Sequence, residues 1–168
     1  SFRAYDTLLE LVVLLTAYSG LRARDMPLEL ASDAVWPVLD ILIKLLAPFL
    51  VLFAGYLLWA GSSSHGAAFQ AGAVLAAAGL LAALSGRRPV VRVGWLAART
   101  AIALGPLVFA SVGVAAMLAG GALLEFPPRL SKLLTIVVES AATISIGAAL
   151  IALFVGRSLL GNAADREA

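Results

Sequence analysis

Apolar residues fall in long uninterrupted blocks along the chain, separated by short polar or glycine- and proline-rich breaks. Two adjacent blocks set the pattern. Residues 44–60 carry Lys44 as their one charge, residues 67–84 carry none, and the short run Gly-Ser-Ser-Ser-His-Gly joins them. Each block approaches the roughly 20 apolar residues that cross about 30 Å of hydrocarbon. Lipid offers the backbone no hydrogen-bond partners, so such blocks must be helices, and the pair predicts a helical hairpin within a bilayer. Three further blocks complete the pattern. Spans are expected over about 5–21, 38–60, 67–86, 94–124 and 130–155. The fourth is overlong and interrupted by Gly105-Pro106, and Pro48 and Pro106 are expected to kink their helices. The Glu125–Arg129 segment, with Pro127 and Pro128, separates the fourth span from the fifth.

Composition agrees with this pattern. Of the 168 residues, 62% are hydrophobic and 13% charged, against about 45–50% and about 25% in soluble domains. Mean hydropathy is +1.01. The expected fold is all-α, a polytopic membrane protein of about five transmembrane helices. The expected units are a first helix over 1–22, an interfacial linker over 23–37, a four-helix membrane domain over 38–157 and a polar tail over 158–168. The chain has no Cys and one His, so there is no thiolate site, no disulfide framework and no His cluster for a metal. No phosphate loop, catalytic triad or zinc spacing is present, and neither an enzyme nor a cofactor is called for.

The net charge of +2 comes from loop arginines, which set topology in membrane proteins; no nucleic-acid surface is implied. Arg22, Arg24, Arg87, Arg88, Arg92 and Arg157 fall on one side, and Arg3, Arg129 and Lys132 on the other. The excess places the N-terminus outside and the C-terminus in the cytoplasm. The first residues lack the apolar core and cleavage site of a signal peptide. With no initiator Met, the chain reads as a segment of a longer polypeptide, or as one whose beginning is missing. Small residues recur within the spans, among them Gly72 and Gly79 in the third. Such faces let helices approach closely in lipid, so this chain expects neighbours.

Ionisable residues inside apolar blocks mark the candidate chemistry, because a charge at mid-bilayer costs roughly 2.5–3.5 kcal/mol or more. Glu139 lies nine residues into the fifth span, roughly 14 Å deep. Thr135 and Thr143 stand one turn to either side of it on the same stripe. It reads either as a proton or cation relay point or as a hydrogen-bonded carboxyl that fixes helix packing. Asp6 and Glu10 share one face of the first helix. They read as an acidic pair near a transfer path, or as a helix cap paired with Arg3. Asp40 and Lys44 are also one turn apart; they read as a basic modulator of proton transfer with its partner, or as an orienting ion pair. Gln70 is expected to hydrogen-bond across helices, and His65 to lie solvated in the outer turn. None of these residues forms a metal site.

Two stretches carry a family resemblance. Lys44-Leu45-Leu46-Ala47-Pro48-Phe49, then Gly55-Tyr56, then Phe69-Gln70-Ala71-Gly72 resemble the MnhB/MrpB component of the multisubunit cation/proton antiporters of the Mrp or Mnh type. That family usually has His-Gly before the turn and Pro-Gly-Gly-Gly before Phe-Gln; this chain has Ala60-Gly61 and His65-Gly66-Ala67-Ala68. The MnhB/MrpB component also shows a Val-Glu pair in its last helix, matched here by Val138-Glu139. The run Phe2-Arg3-Ala4-Tyr5-Asp6-Thr7-Leu8-Leu9-Glu10 is similar to the C-terminal end of the large MnhA-type antiporter component and to the E-like component of membrane-bound hydrogenases, with Leu9 in place of a Gly.

The resemblance implies a membrane subunit of a Na+/H+ antiporter or a related energy-converting complex. Its partners would be other membrane subunits and the bilayer, its ions Na+ and H+, and its location the bacterial or archaeal cytoplasmic membrane. Glu139, Glu10 and Lys44 would line a polar route between subunits. A purely structural subunit of a hydrogenase-like or carbon-uptake complex is the rival class, and a stand-alone small transporter a third.

Overall fold

The computed structural model of the chain describes residues 2–23, 37–61, 67–84, 95–118 and 131–155. Among these are five α-helices: α1 (Phe2–Ala23), α2 (Pro37–Ala60), α3 (Ala67–Leu84), α4 (Trp95–Leu118) and α5 (Ser131–Val155). They stand in the five expected places. α4 is described as far as Leu118, and residues 119–124 of the expected fourth span lie outside the described residues. α2 and α4 each run through an internal proline, Pro48 and Pro106. The interior of the expected linker, the tail and His65 lie outside the described residues.

Among the described residues three helices are long and apolar enough to cross a membrane: α2 over Asp40–Ala60, α4 over Leu96–Leu118 and α5 over Lys132–Phe154, with mean hydropathies of 2.3, 2.2 and 2.0. The apolar stretch of α3, Ala67–Ala83, is shorter, and α1 carries Asp6 and Glu10 in its first half. Burial is inverted relative to a water-soluble protein. Large side chains such as Leu45, Leu52 and Leu118 face outward, while Ala67, Ala68, Ala71, Ala141, Ala142 and Ala149 fill the interior. This distribution fits an apolar solvent, in which association relies on close packing of small residues.

α5 is the centre of the bundle. It packs against α1, α3 and α4, whereas α2 packs chiefly on α3. The contacts give the directions. Leu8 clusters with Val138, Leu11 with Ala142 and Ile146, and Leu14 and Leu15 pack against Ala149 and Ala152. α1 therefore runs parallel to α5. Phe109 packs with Val138 and Ile102 with Ala149, so α4 runs antiparallel. Close approaches between Gly72 and Ile146 and between Gly79 and Ile151 show α3 parallel to α5. A Cβ on Gly72 would sit 2.7 Å from Ile146 Cγ2, and one on Gly105 2.7 Å from Ser145 Cβ; glycine lets both neighbours approach α5.

The α2–α3 hairpin is staggered along this bundle. Ala68, in the first turn of α3, lies beside Thr143, twelve residues after the start of α5, roughly 18 Å along its axis. α1, α4 and the first half of α5 thus extend past the beginning of α3 and leave a step. Gly61 and Ala67 close the hairpin there: a Cβ on Gly61 would collide with that of Ala67.

Candidate functional site

The step holds the most shielded acid among the described residues. Glu139 sits on the part of α5 that rises past α3, one turn before Thr143, and is 5% exposed. Its neighbour Val138 seals one side together with Phe109 and Leu8. The carboxyl is therefore surrounded by protein, as the expense of a charge in hydrocarbon requires. Thr143, also buried, links this turn to the neighbouring helix. Its hydroxyl lies 2.8 Å from the carbonyl oxygen of Glu139 and 3.3 Å from that of Ala68, so its proton is shared in a three-centre arrangement. Thr135, one turn on the other side, is half-buried. The expected stripe Thr135, Glu139, Thr143 thus exists on one face and deepens toward Thr143.

Ser145 adds a second fixed point. Its hydroxyl donates to the carbonyl oxygen of Ile102 on α4, so α5 is pinned to α3 and α4 by two buried hydroxyls a few residues apart. The sequence reading passed over Ser145. The signal available was its place beside Thr143 in Thr143-Ile144-Ser145, opposite a Gly105-Pro106 that reads as a mere interruption.

The other polar residues are dispersed. Glu10 is half-buried and Asp6 exposed on α1. Leu8 and Leu11, which flank Glu10, pack beside Val138 and Ala142, which flank Glu139. The two glutamates therefore lie at the same level of the α1–α5 contact. Asp40 and Lys44 form an ion pair of 2.7 Å on α2, with side-chain exposures of 24% and 55%. They sit near the start of α2, away from the hairpin turn and thus away from Glu139. Within this chain the structure sets Glu10 level with Glu139 along the α1–α5 contact and leaves Lys44 apart.

Gln70 lies on the outer side of α3. It is exposed and makes no hydrogen bond among the described residues. Two residues after the buried Ala68, it is turned about 200° from the face that meets α5. No group of His, Cys, Asp and Glu among the described residues is placed to hold a metal ion. A groove of about 310 Å3 lies between α1 and α4, lined by apolar residues including Leu11, Leu15, Pro106 and Phe109; it offers no polar chemistry.

Residues 38–161 match the model of a family described as a domain related to the MnhB subunit of Na+/H+ antiporter. The chain belongs to this MnhB-related family. The matched range covers α2 to α5 and the step that holds Glu139, and it begins after α1. No curated protein and no solved structure matches the chain. Membership of the MnhB-related family and the apolar helices together identify a multi-pass membrane protein of an antiport, ion-transport family.

Proposed function

We propose that the chain is a membrane subunit of a multisubunit cation (Na+)/proton antiporter, or of a related energy-converting complex, and that it contributes to the proton or cation path between subunits. The observation that carries this reading is Glu139: a carboxyl 5% exposed, on the central helix of an apolar bundle. Ionisable groups in such a place are functional by default, because lipid and packing alone both select against them. Glu10, level with it across the α1–α5 contact, extends the polar route toward the face of α1. α1 lies outside the family match and is read as a piece of the neighbouring large MnhA-type component, or of a hydrogenase E-like component, joined to the MnhB-related domain. The N-terminus is read as outside and the C-terminus as cytoplasmic, in the bacterial or archaeal inner membrane.

The test is cation-driven proton movement in vesicles containing the complete complex. Glu139→Gln keeps shape and hydrogen-bonding capacity but cannot exchange a proton. Exchange should be lost while the assembly remains intact on a native gel; normal exchange would remove Glu139 from the path.

One observation favours a second reading. Thr143 and Ser145, the buried hydroxyls near Glu139, are both occupied by main-chain carbonyls, which is a packing role. On that reading the chain seals and positions larger pumping subunits in a hydrogenase-like or carbon-uptake complex. Charge-neutralising substitutions would then act only through assembly.

A further inference from the structure

The outward face of α2 has chemistry that lipid does not explain. Only 11% of its membrane span is buried, against 56% for that of α5. Most of the exposed surface is large and apolar, including Leu45, Leu52 and the row Phe49, Phe53 and Tyr56, whose rings stack along the helix. An acyl environment suits these side chains. Along one edge, however, Ile41, Lys44, Pro48, Val51 and Gly55 follow one another at alternating steps of three and four residues. That spacing keeps one stripe in line toward a packed neighbour helix.

Two members of the stripe are out of place against acyl chains. Lys44 is 55% exposed, seven residues into the helix and so roughly 10 Å along it. Asp40 pairs with it from one side, while more than half of the lysine side chain stays exposed on the helix surface, and acyl chains supply no acceptor for its other N–H groups. Gly55 is exposed, and a Cβ built on it meets nothing within 4 Å. Among the described residues no close approach requires the glycine, and glycine weakens a helix relative to alanine. A bare glycine between larger side chains is the hollow into which a helix of another chain seats a side chain.

We infer that the Lys44–Gly55 stripe of α2 is the contact surface for a transmembrane helix of another protein in the complex. This rests on the reading of the chain as one member of such a complex and says which face meets its neighbour. The partner helix carries a carboxylate or other acceptor level with Lys44. It also carries a bulky aliphatic or aromatic side chain level with Gly55, eleven residues and thus roughly 16 Å away along the axis. A second copy of this chain is a poor occupant. Two copies inserted in the same sense are related by an axis normal to the membrane, so an α2–α2 contact would set Lys44 against Lys44 at equal depth.

The test uses the whole complex and two probes. Gly55→Leu fills the hollow without touching this chain's own helices. The full-length chain should still reach wild-type levels in the membrane, while the complex recovered through it falls several-fold; an undiminished complex overturns the inference. Because the chain lacks Cys, Val51→Cys carries a single nitroxide. Its collision rate with dissolved oxygen should fall several-fold when the chain enters the complex, and an unchanged rate, the signature of a lipid-facing position, overturns the inference. This second probe decides the matter if Gly55→Leu fails to accumulate. A Val51→Cys disulfide between two copies within the complex also overturns it. A wild-type chain that purifies without other membrane subunits removes the proposed function itself, whereas a wild-type complex that tolerates Gly55→Leu removes this inference alone.

Discussion

The hydroxyl of Thr143 on α5 reaches the main-chain carbonyl of Ala68 on α3 at 3.3 Å, at the level where the α2–α3 hairpin stops along the central helix. Glu139 lies on the turn of α5 just past the point where α3 begins. Thr143→Val keeps the shape and deletes the donor. Interhelical hydrogen bonds of this kind contribute on average about 0.6 kcal/mol and at most about 1.7 kcal/mol. The variant should lose stability within that range against a denaturing detergent, and Thr143→Ser should recover most of it. A Thr143→Val chain as stable as the parent would show that apolar packing alone sets the stagger.

The α3–α5 contact also depends on a missing side chain. A Cβ at Gly72 would lie 2.7 Å from Ile146 Cγ2 and 3.1 Å from the carbonyl oxygen of Thr143. Ile146 is fully buried, so it has little room to yield. Overpacking of this kind costs about 1–3 kcal/mol. Gly72→Ala should destabilise the folded chain by that amount. Gly20 is the contrast: nothing lies within 4 Å of a Cβ there. Gly20→Ala should stabilise α1 by about 0.5–1 kcal/mol, the difference in helix propensity. Thermal unfolding in one detergent reads both, and equal effects at the two positions would contradict the packing described for Gly72.

How much of this was legible beforehand depends on what each residue had to reveal. The five helices were visible because lipid demands uninterrupted apolar runs, and their ends fell close to the Pro, Gly and Arg breaks. The pairing of Asp40 with Lys44 followed from one-turn spacing, a local relation that needs no tertiary knowledge. The stagger did not follow, because it depends on which Ala and Gly residues of α3 meet which turn of α5, and nearly all such residues in α3 look alike. The exposure of Gln70 was illegible for the same reason: in a nearly uniform helix, only the small residues on the opposite face decide which side meets α5. Ser145 was missed because its partner is a main-chain carbonyl of Ile102, which leaves no mark in the sequence of α4.

The Asp40–Lys44 pair should contribute little to the stability of the isolated chain. Its Nζ–Oδ2 distance is 2.7 Å, but the lysine side chain is 55% exposed. Pairs one turn apart on an exposed helix face contribute about 0.3–0.5 kcal/mol. In detergent, Asp40→Asn should lower stability by no more than that, and the difference should shrink as salt is raised. A salt-independent loss of several times this size would mean that the pair is shielded more deeply than its exposure states.

Glu10 and Glu139 give the sharpest test of a shared path. The residues that flank them, Leu8 and Leu11 on α1 and Val138 and Ala142 on α5, pack together, so the two acids stand at one level of the same contact. If protons pass through both in series, removing either group interrupts the path, and removing the second adds little, because groups that act as a unit are strongly non-additive. Glu10→Gln and Glu139→Gln should each lower exchange by about 10²-fold or more, the scale on which positioned proton donors and acceptors contribute. The double variant should fall no further than the worse single. The readout is dissipation of a pH gradient in vesicles holding equal amounts of complex. If the two effects instead multiply, the acids serve separate routes. If Glu10→Gln is silent while Glu139→Gln is inactive, the path does not run along α1, and the polar route must leave the step toward another helix.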